Sequence, residues 1–107
     1  MIVILDTGKI RGYYAYEYLA SDQVKLTYLF VDPLSIGCGI GRRLMNDFLD
    51  GIDRRIVRSI ILDADPNAKQ FYMNFGFKEI DRLKSSIPNR YLPIMELKIV
   101  NSVDKSA

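Results

Sequence analysis

The chain has 107 residues, a length that suits one domain and allows about two thirds of the unfolded surface to be buried. Hydrophobic residues make up 49% and charged residues 26%, which excludes disorder as the default, and a net charge of +2 is too small to point to nucleic acid. One cysteine, Cys38, and no histidine rule out an intrachain disulfide and the ligand clusters that zinc requires, so a metal-free cytoplasmic protein is expected.

The apolar run at residues 2–5 meets Asp6 too soon for a secretory signal, and no stretch approaches the ~20 apolar residues that span a bilayer. No membrane association is expected. Asp6, Thr7, Gly8 and Lys9 read as a turn, so residues 2–5 and 10–19 form a hairpin. Tyr14, Tyr16 and Tyr18 recur with period two, which places three rings on one face, where cross-strand packing accounts for them. Residues 24–31 are rich in β-branched and aromatic side chains and are stopped by Asp32 and Pro33, which makes a third strand.

The period then changes. Ile40, Leu44 and Phe48, flanked by Met45 and Leu49, form a helical stripe that Gly51 ends. Arg54, Arg55 and Arg58 interrupt a linker, and the continuous apolar run at 59–62 suits a central buried strand. Asp65 followed by Pro66 is a helix start, because the carboxylate can cap free amides while proline at the first position forfeits nothing. That helix is expected over 66–75, with Gly76 as a left-handed cap and final strands at 77–83 and 92–100 joined by a proline-containing loop. The order describes an α+β domain with a mixed sheet over residues 1–100, followed by a polar tail at 101–107.

The segment Gly37-Cys38-Gly39-Ile40-Gly41-Arg42 lies between a strand end and a helix start, where free amides and the helix dipole favour an anion. Its spacing is neither that of a P-loop nor that of a dinucleotide fingerprint. Taken alone, the loop is equally a bare glycine turn. Together with Val31-Asp32-Pro33, however, it resembles the cofactor motif of the GNAT acyltransferases. The block from Asp65 to Phe77 resembles the same superfamily's Asn/Ala helix ending in Phe-Tyr-x-x-x-Gly-Phe, and the segment 85–95 is similar to the final hairpin of some bacterial members.

The resemblance implies a mainly antiparallel GNAT-like sheet flanked by two helices, with acetyl-CoA as cosubstrate and no metal. Leu29, Phe30 and Val31 would form the strand edge that pairs with the pantetheine arm. Gly37, Cys38, Gly39, Ile40, Gly41 and Arg42 would hold the pyrophosphate, with Asn67 beside the thioester. Tyr72 is the candidate catalytic acid, since a phenol near the sulfur can protonate the departing thiolate; its other reading is a core tyrosine with a surface hydroxyl. Glu17 is the one carboxylate considered as a base, and an exposed strand glutamate describes it equally, so the base stays unassigned.

Departures from the family pattern are Ile36 where Arg or Gln is usual, Cys38 where a basic residue is frequent, and Asp65 where Asn is frequent. Family members also carry a strand and two helices before the hairpin that starts here at Ile2, which makes the expected fold N-terminally truncated. Either Met1 begins a short form, completed by a second copy or a partner subunit, or the sequence is part of a longer protein.

The function expected is acetyl transfer to a primary amine of a small molecule or protein. A non-catalytic acyl-CoA module or partner subunit, and a ligand-free fragment that self-associates through its hairpin, are the alternatives.

Overall fold

The computed structural model describes residues 2–6, 9–35, 37, 39–84 and 91–99. Six strands and two α-helices follow in the order β1 (Ile2–Asp6), β2 (Lys9–Ala20), β3 (Gln23–Val31), α1 (Ile40–Gly51), β4 (Ser59–Asp63), α2 (Lys69–Met73), β5 (Lys78–Lys84) and β6 (Tyr91–Lys98). The hydrogen-bonded order in the sheet is β1-β2-β3-β4-β6-β5. β3 pairs with β4 in parallel, whereas β1 with β2, β4 with β6 and β5 with β6 run antiparallel. This is the α+β, mixed and mainly antiparallel architecture expected from the sequence.

The chain divides into two compact units, residues 1–17 with 26–53 and residues 18–25 with 54–107. In the first, Leu44, Met45 and Phe48 of α1 are buried, as the helical stripe predicts. Tyr14 packs edge-on against Phe48 at 5.5 Å between ring centroids, and Tyr16 lies 5.4 Å from the same ring. The rings therefore serve helix-on-sheet packing rather than cross-strand packing alone, and Tyr18, at the strand's far end, is exposed. Glycine is required at position 12. A Cβ there would lie 2.6 Å from the carbonyl oxygen of Phe30 and 2.9 Å from Leu44 Cδ1, so its absence lets the first turns of α1 rest on the strands.

In the second unit β4 is central, between β3 and β6, and buries Ile60 and Leu62. Ser59 and Ile61 are half-buried, so the apolar run alternates in burial and is not enclosed on both faces. The helix expected over 66–75 is a 3-10 turn at Pro66–Ala68 followed by a short α2. Asp65 caps it as predicted, accepting from the Asn67 amide at 2.8 Å. Gly51 ends α1 without a left-handed turn, since the next residue, Ile52, simply becomes extended at φ −77°. The expected turn at Thr7 and Gly8, the loop at 85–90, Val100 and the tail at 101–107 lie outside the described residues.

Candidate active site

The cofactor candidates of the first unit sit where β3 ends and α1 begins. Parallel pairing with β4 takes in Gln23, Val24 and Lys25, so Leu29, Phe30 and Val31 lie four to six residues beyond it. On that side their main-chain groups have no β4 partner among the described residues. On the other side the Asp32 amide donates to the Arg11 carbonyl at 2.8 Å. Arg11 is the extra residue that shifts the β1–β2 register between Ile4 and Leu5. A bulge at a strand end re-aims the backbone, and here it meets the chain where it leaves β3.

After a 3-10 turn at Pro33–Ser35 the chain reaches Gly37 at φ 90° and Gly39 at φ 77°. Both lie in the left-handed region, which L side chains enter only at a cost, and among the described residues nothing stands within 4 Å of where a Cβ would be built at either. Gly39 is the N-cap of α1 and supplies no side-chain hydrogen bond. The first intrahelical bond runs from the Arg43 amide to the Gly39 carbonyl at 3.0 Å, which leaves the amides of Ile40, Gly41 and Arg42 without helical acceptors.

The 3-10 turn before α2 differs, because there the Asp65 carboxylate itself accepts from the Asn67 amide. Three donors at the positive end of a three-turn helix, beside glycines that leave open space, fit a diphosphate. Arg42 and Arg43 are exposed in the first turn. Cys38 and Ile36 lie outside the described residues.

Asn67 and Tyr72 belong to the second unit. Asn67 is exposed in the 3-10 turn, with its amide held by Asp65. Tyr72 is 9% exposed and closes a Schellman motif: the Phe77 amide donates to the Tyr72 carbonyl at 3.2 Å and the Gly76 amide to Met73 at 3.0 Å. Gly76, at φ 97°, makes that turn, and the Tyr72 ring packs edge-on against Phe77 at 5.9 Å. Burial pushes the Tyr72 phenol above its ordinary pKa, and the Asp65 carboxylate adds to the shift. The neutral, proton-bearing form is therefore the resting form at neutral pH. Glu17 is exposed on β2.

Among the described residues, no group of three or more His, Cys, Asp or Glu could hold a metal ion, and no helix is long and apolar enough to cross a membrane. Sequence reasoning passed over Asp47. It lies on α1, 33 positions from Tyr14, and accepts the Tyr14 hydroxyl at 2.6 Å. No local pattern joins residues that far apart.

A family model described as an acetyltransferase (GNAT) domain matches residues 1–94, and the chain belongs to that family. Among solved structures it is similar to Ard1 from Thermoplasma volcanium, with TM-score 0.79 and 18% identity over 89% of this chain and 67% of that one. It is also similar to the ribosomal-protein-S18-alanine N-acetyltransferase from Escherichia coli, with TM-score 0.78 and 24% identity over 92% and 67% of the two chains. Naa50 from Arabidopsis thaliana, in complex with the bisubstrate analogue CoA-Ac-MVNAL, gives TM-score 0.70 and 24% identity over 84% and 66%. At these identities the likeness is one of fold. Comparison with the curated proteins gives no match.

Proposed function

We propose that this GNAT-family chain is an acetyl-CoA-dependent N-acetyltransferase, cytoplasmic, acting on a primary amine of a small molecule or protein by direct attack. Residues 1–100 would work as one acyl-CoA-binding domain. The observation that carries the reading is the N-terminus of α1, where Gly37 and Gly39 in left-handed conformations leave open space, among the described residues, beside three amides that have no acceptor within the helix. The Arabidopsis relative, whose ligand joins CoA to a peptide, and the Escherichia coli relative, named for acetylating a protein alanine, support a thioester donor and an amine acceptor.

In this reading the amides of Ile40, Gly41 and Arg42 bind the pyrophosphate, and the Arg42 guanidinium adds a charge-assisted contact. Leu29, Phe30 and Val31 offer unpaired main-chain groups to the pantetheine amides, and an N–H of that edge polarises the acetyl carbonyl. The amine nitrogen forms the new C–N bond as the C–S bond breaks, the Tyr72 phenol gives its proton to the leaving sulfur, and the proton that the nitrogen sheds passes to solvent water, from which the phenolate is reprotonated. A pKa above the ordinary phenol range does not disqualify it, because the low-dielectric surroundings that raise it would also raise the basicity of a thiolate beside it.

Gly41→Glu tests the cradle. Position 41 does not have positive φ, and an acidic residue in the first turn of a helix favours the helix, so the fold should hold. Calorimetric titration should show acetyl-CoA affinity falling by about 100-fold or more, as a carboxylate takes the place of a phosphate. Unchanged affinity would remove the cradle from the account.

A further inference from the structure

Within the second unit, Pro66, Lys69, Glu79, Arg82, Tyr91 and Pro93 line a pocket of about 220 Å³. Glu79 and Arg82 are three apart on β5, a spacing that in a regular strand sends side chains to opposite faces. The register of β5 against β6 shifts between Glu79 and Asp81, and this extra residue returns the two to one face. Arg82 Nε donates to Glu79 Oε2 at 2.7 Å, and Lys69 Nζ reaches Glu79 Oε1 at 2.6 Å. Opposite them, Arg82 pairs in register with Pro93 and Lys84 with Tyr91, so the proline and the tyrosine ring stand along the same wall.

Two cations meet one carboxylate here, so the pocket keeps one net positive charge. Glu79 occupies one donor of the guanidinium and one of the ammonium, which leaves the Nη fork of Arg82 and further N–H groups of Lys69. Both side chains are held in place by the bond they already make, while the Arg82 side chain is still 66% exposed. Tyr91 and the two prolines supply flat apolar surface. Since water occupies about 30 Å³ per molecule in the liquid, the volume suits a single-ring compound.

We propose that this pocket is a binding site for a small organic carboxylate, its head across Arg82 and Lys69 and its flat apolar body against Tyr91, Pro66 and Pro93. A planar carboxylate matches the guanidinium fork. A cationic ligand would have to displace both partners of Glu79. The site requires nothing of the acetyl-transfer reading and can be tested in its absence.

The experiment is an NMR titration of the full chain with four probes: benzoate, benzylamine, benzamide and inorganic phosphate. Benzoate should give saturable shifts at Tyr91 and Arg82, with the other three binding about tenfold more weakly or worse. Arg82→Ala should weaken benzoate by about tenfold or more, the range expected for a hydrogen bond to a charged group. Glu79→Gln should tighten it, because the internal competitor is gone. All of these positions line an open pocket, and circular dichroism of each variant verifies the fold. Preference for benzylamine, phosphate binding as tightly as benzoate, or no saturable shift with any probe would overturn the proposal.

Discussion

Tyr14 is buried in the first unit, and its hydroxyl is committed to Asp47 at 2.6 Å. Desolvation, then the hydrogen bond and charge of Asp47, raise its pKa, and burial raises that of Tyr72. A group whose folded pKa is raised contributes stability fully present below its unfolded value, near 10.0, and lost as pH rises through the folded one. Melting temperature should therefore fall steeply above pH 10. Tyr14→Phe should lower stability by about 1 kcal/mol at pH 7, through the lost hydrogen bond, yet flatten the alkaline limb. A limb of unchanged slope in that variant would show that Tyr14 does not titrate with unfolding.

Tyr72 carries a second prediction at the same scale. Tyr72→Phe keeps the ring on Phe77 and removes the proton donor alone, so acetyl transfer should slow by about 100-fold or more while acetyl-CoA affinity holds. Equal rates of CoA release would dismiss the acid, whereas tight acetyl-CoA binding with no turnover in either form would favour a non-catalytic acyl-CoA module.

At the scale of elements, Gly12 is a sharp test of how α1 is seated. Gly12→Ala drives a Cβ into the Phe30 carbonyl oxygen and the side chains of Leu44 and Ile40, where overpacking costs about 1–3 kcal/mol by denaturant unfolding. Gly51→Ala, with open space around it and a place at the end of the helix, should be neutral or stabilise by about 0.5 kcal/mol. Equal effects at the two positions would show that the strand does not need its glycine.

The elements were legible in the sequence because they rest on period and punctuation. The stripe from Ile40 to Phe48, the Asp65 cap and the Gly76 turn all appear where residue chemistry places them. The bulges at Arg11 and near Ile80 were not legible, because an extra residue shows itself only against its partner strand. For the same reason the pairing of Glu79 with Arg82 stayed hidden, since strand periodicity sets them on opposite faces. The helix over 66–75 came out shorter because its first turn is tightened to 3-10 by the bond of the Ala68 amide to the Asp65 carbonyl at 2.8 Å.

For the whole molecule, β2 and β3 each contribute residues to both compact units, so neither unit contains the β2–β3 hairpin whole. Unfolding should therefore be one cooperative transition, with calorimetric and van't Hoff enthalpies equal. Acetyl-CoA at 100 times its dissociation constant adds about 2.7 kcal/mol, which for a chain of this size raises the melting temperature on the order of 10 °C. Two resolved transitions would count against a single working domain, and an unmoved transition against a bound thioester donor.

The linear order of residues determined the α+β class, the strand and helix sequence and the glycine loop at the mouth of α1, because each depends on neighbours a few positions apart. Its motifs also carried the resemblance that the family match over residues 1–94 bears out. Only the tertiary structure decided that Asp47 answers Tyr14, that the bulge at Arg11 meets the chain where it leaves β3, and that three charges gather under Tyr91. Such pairings join residues remote in the chain, or depend on how a backbone bends, and no local spacing encodes either.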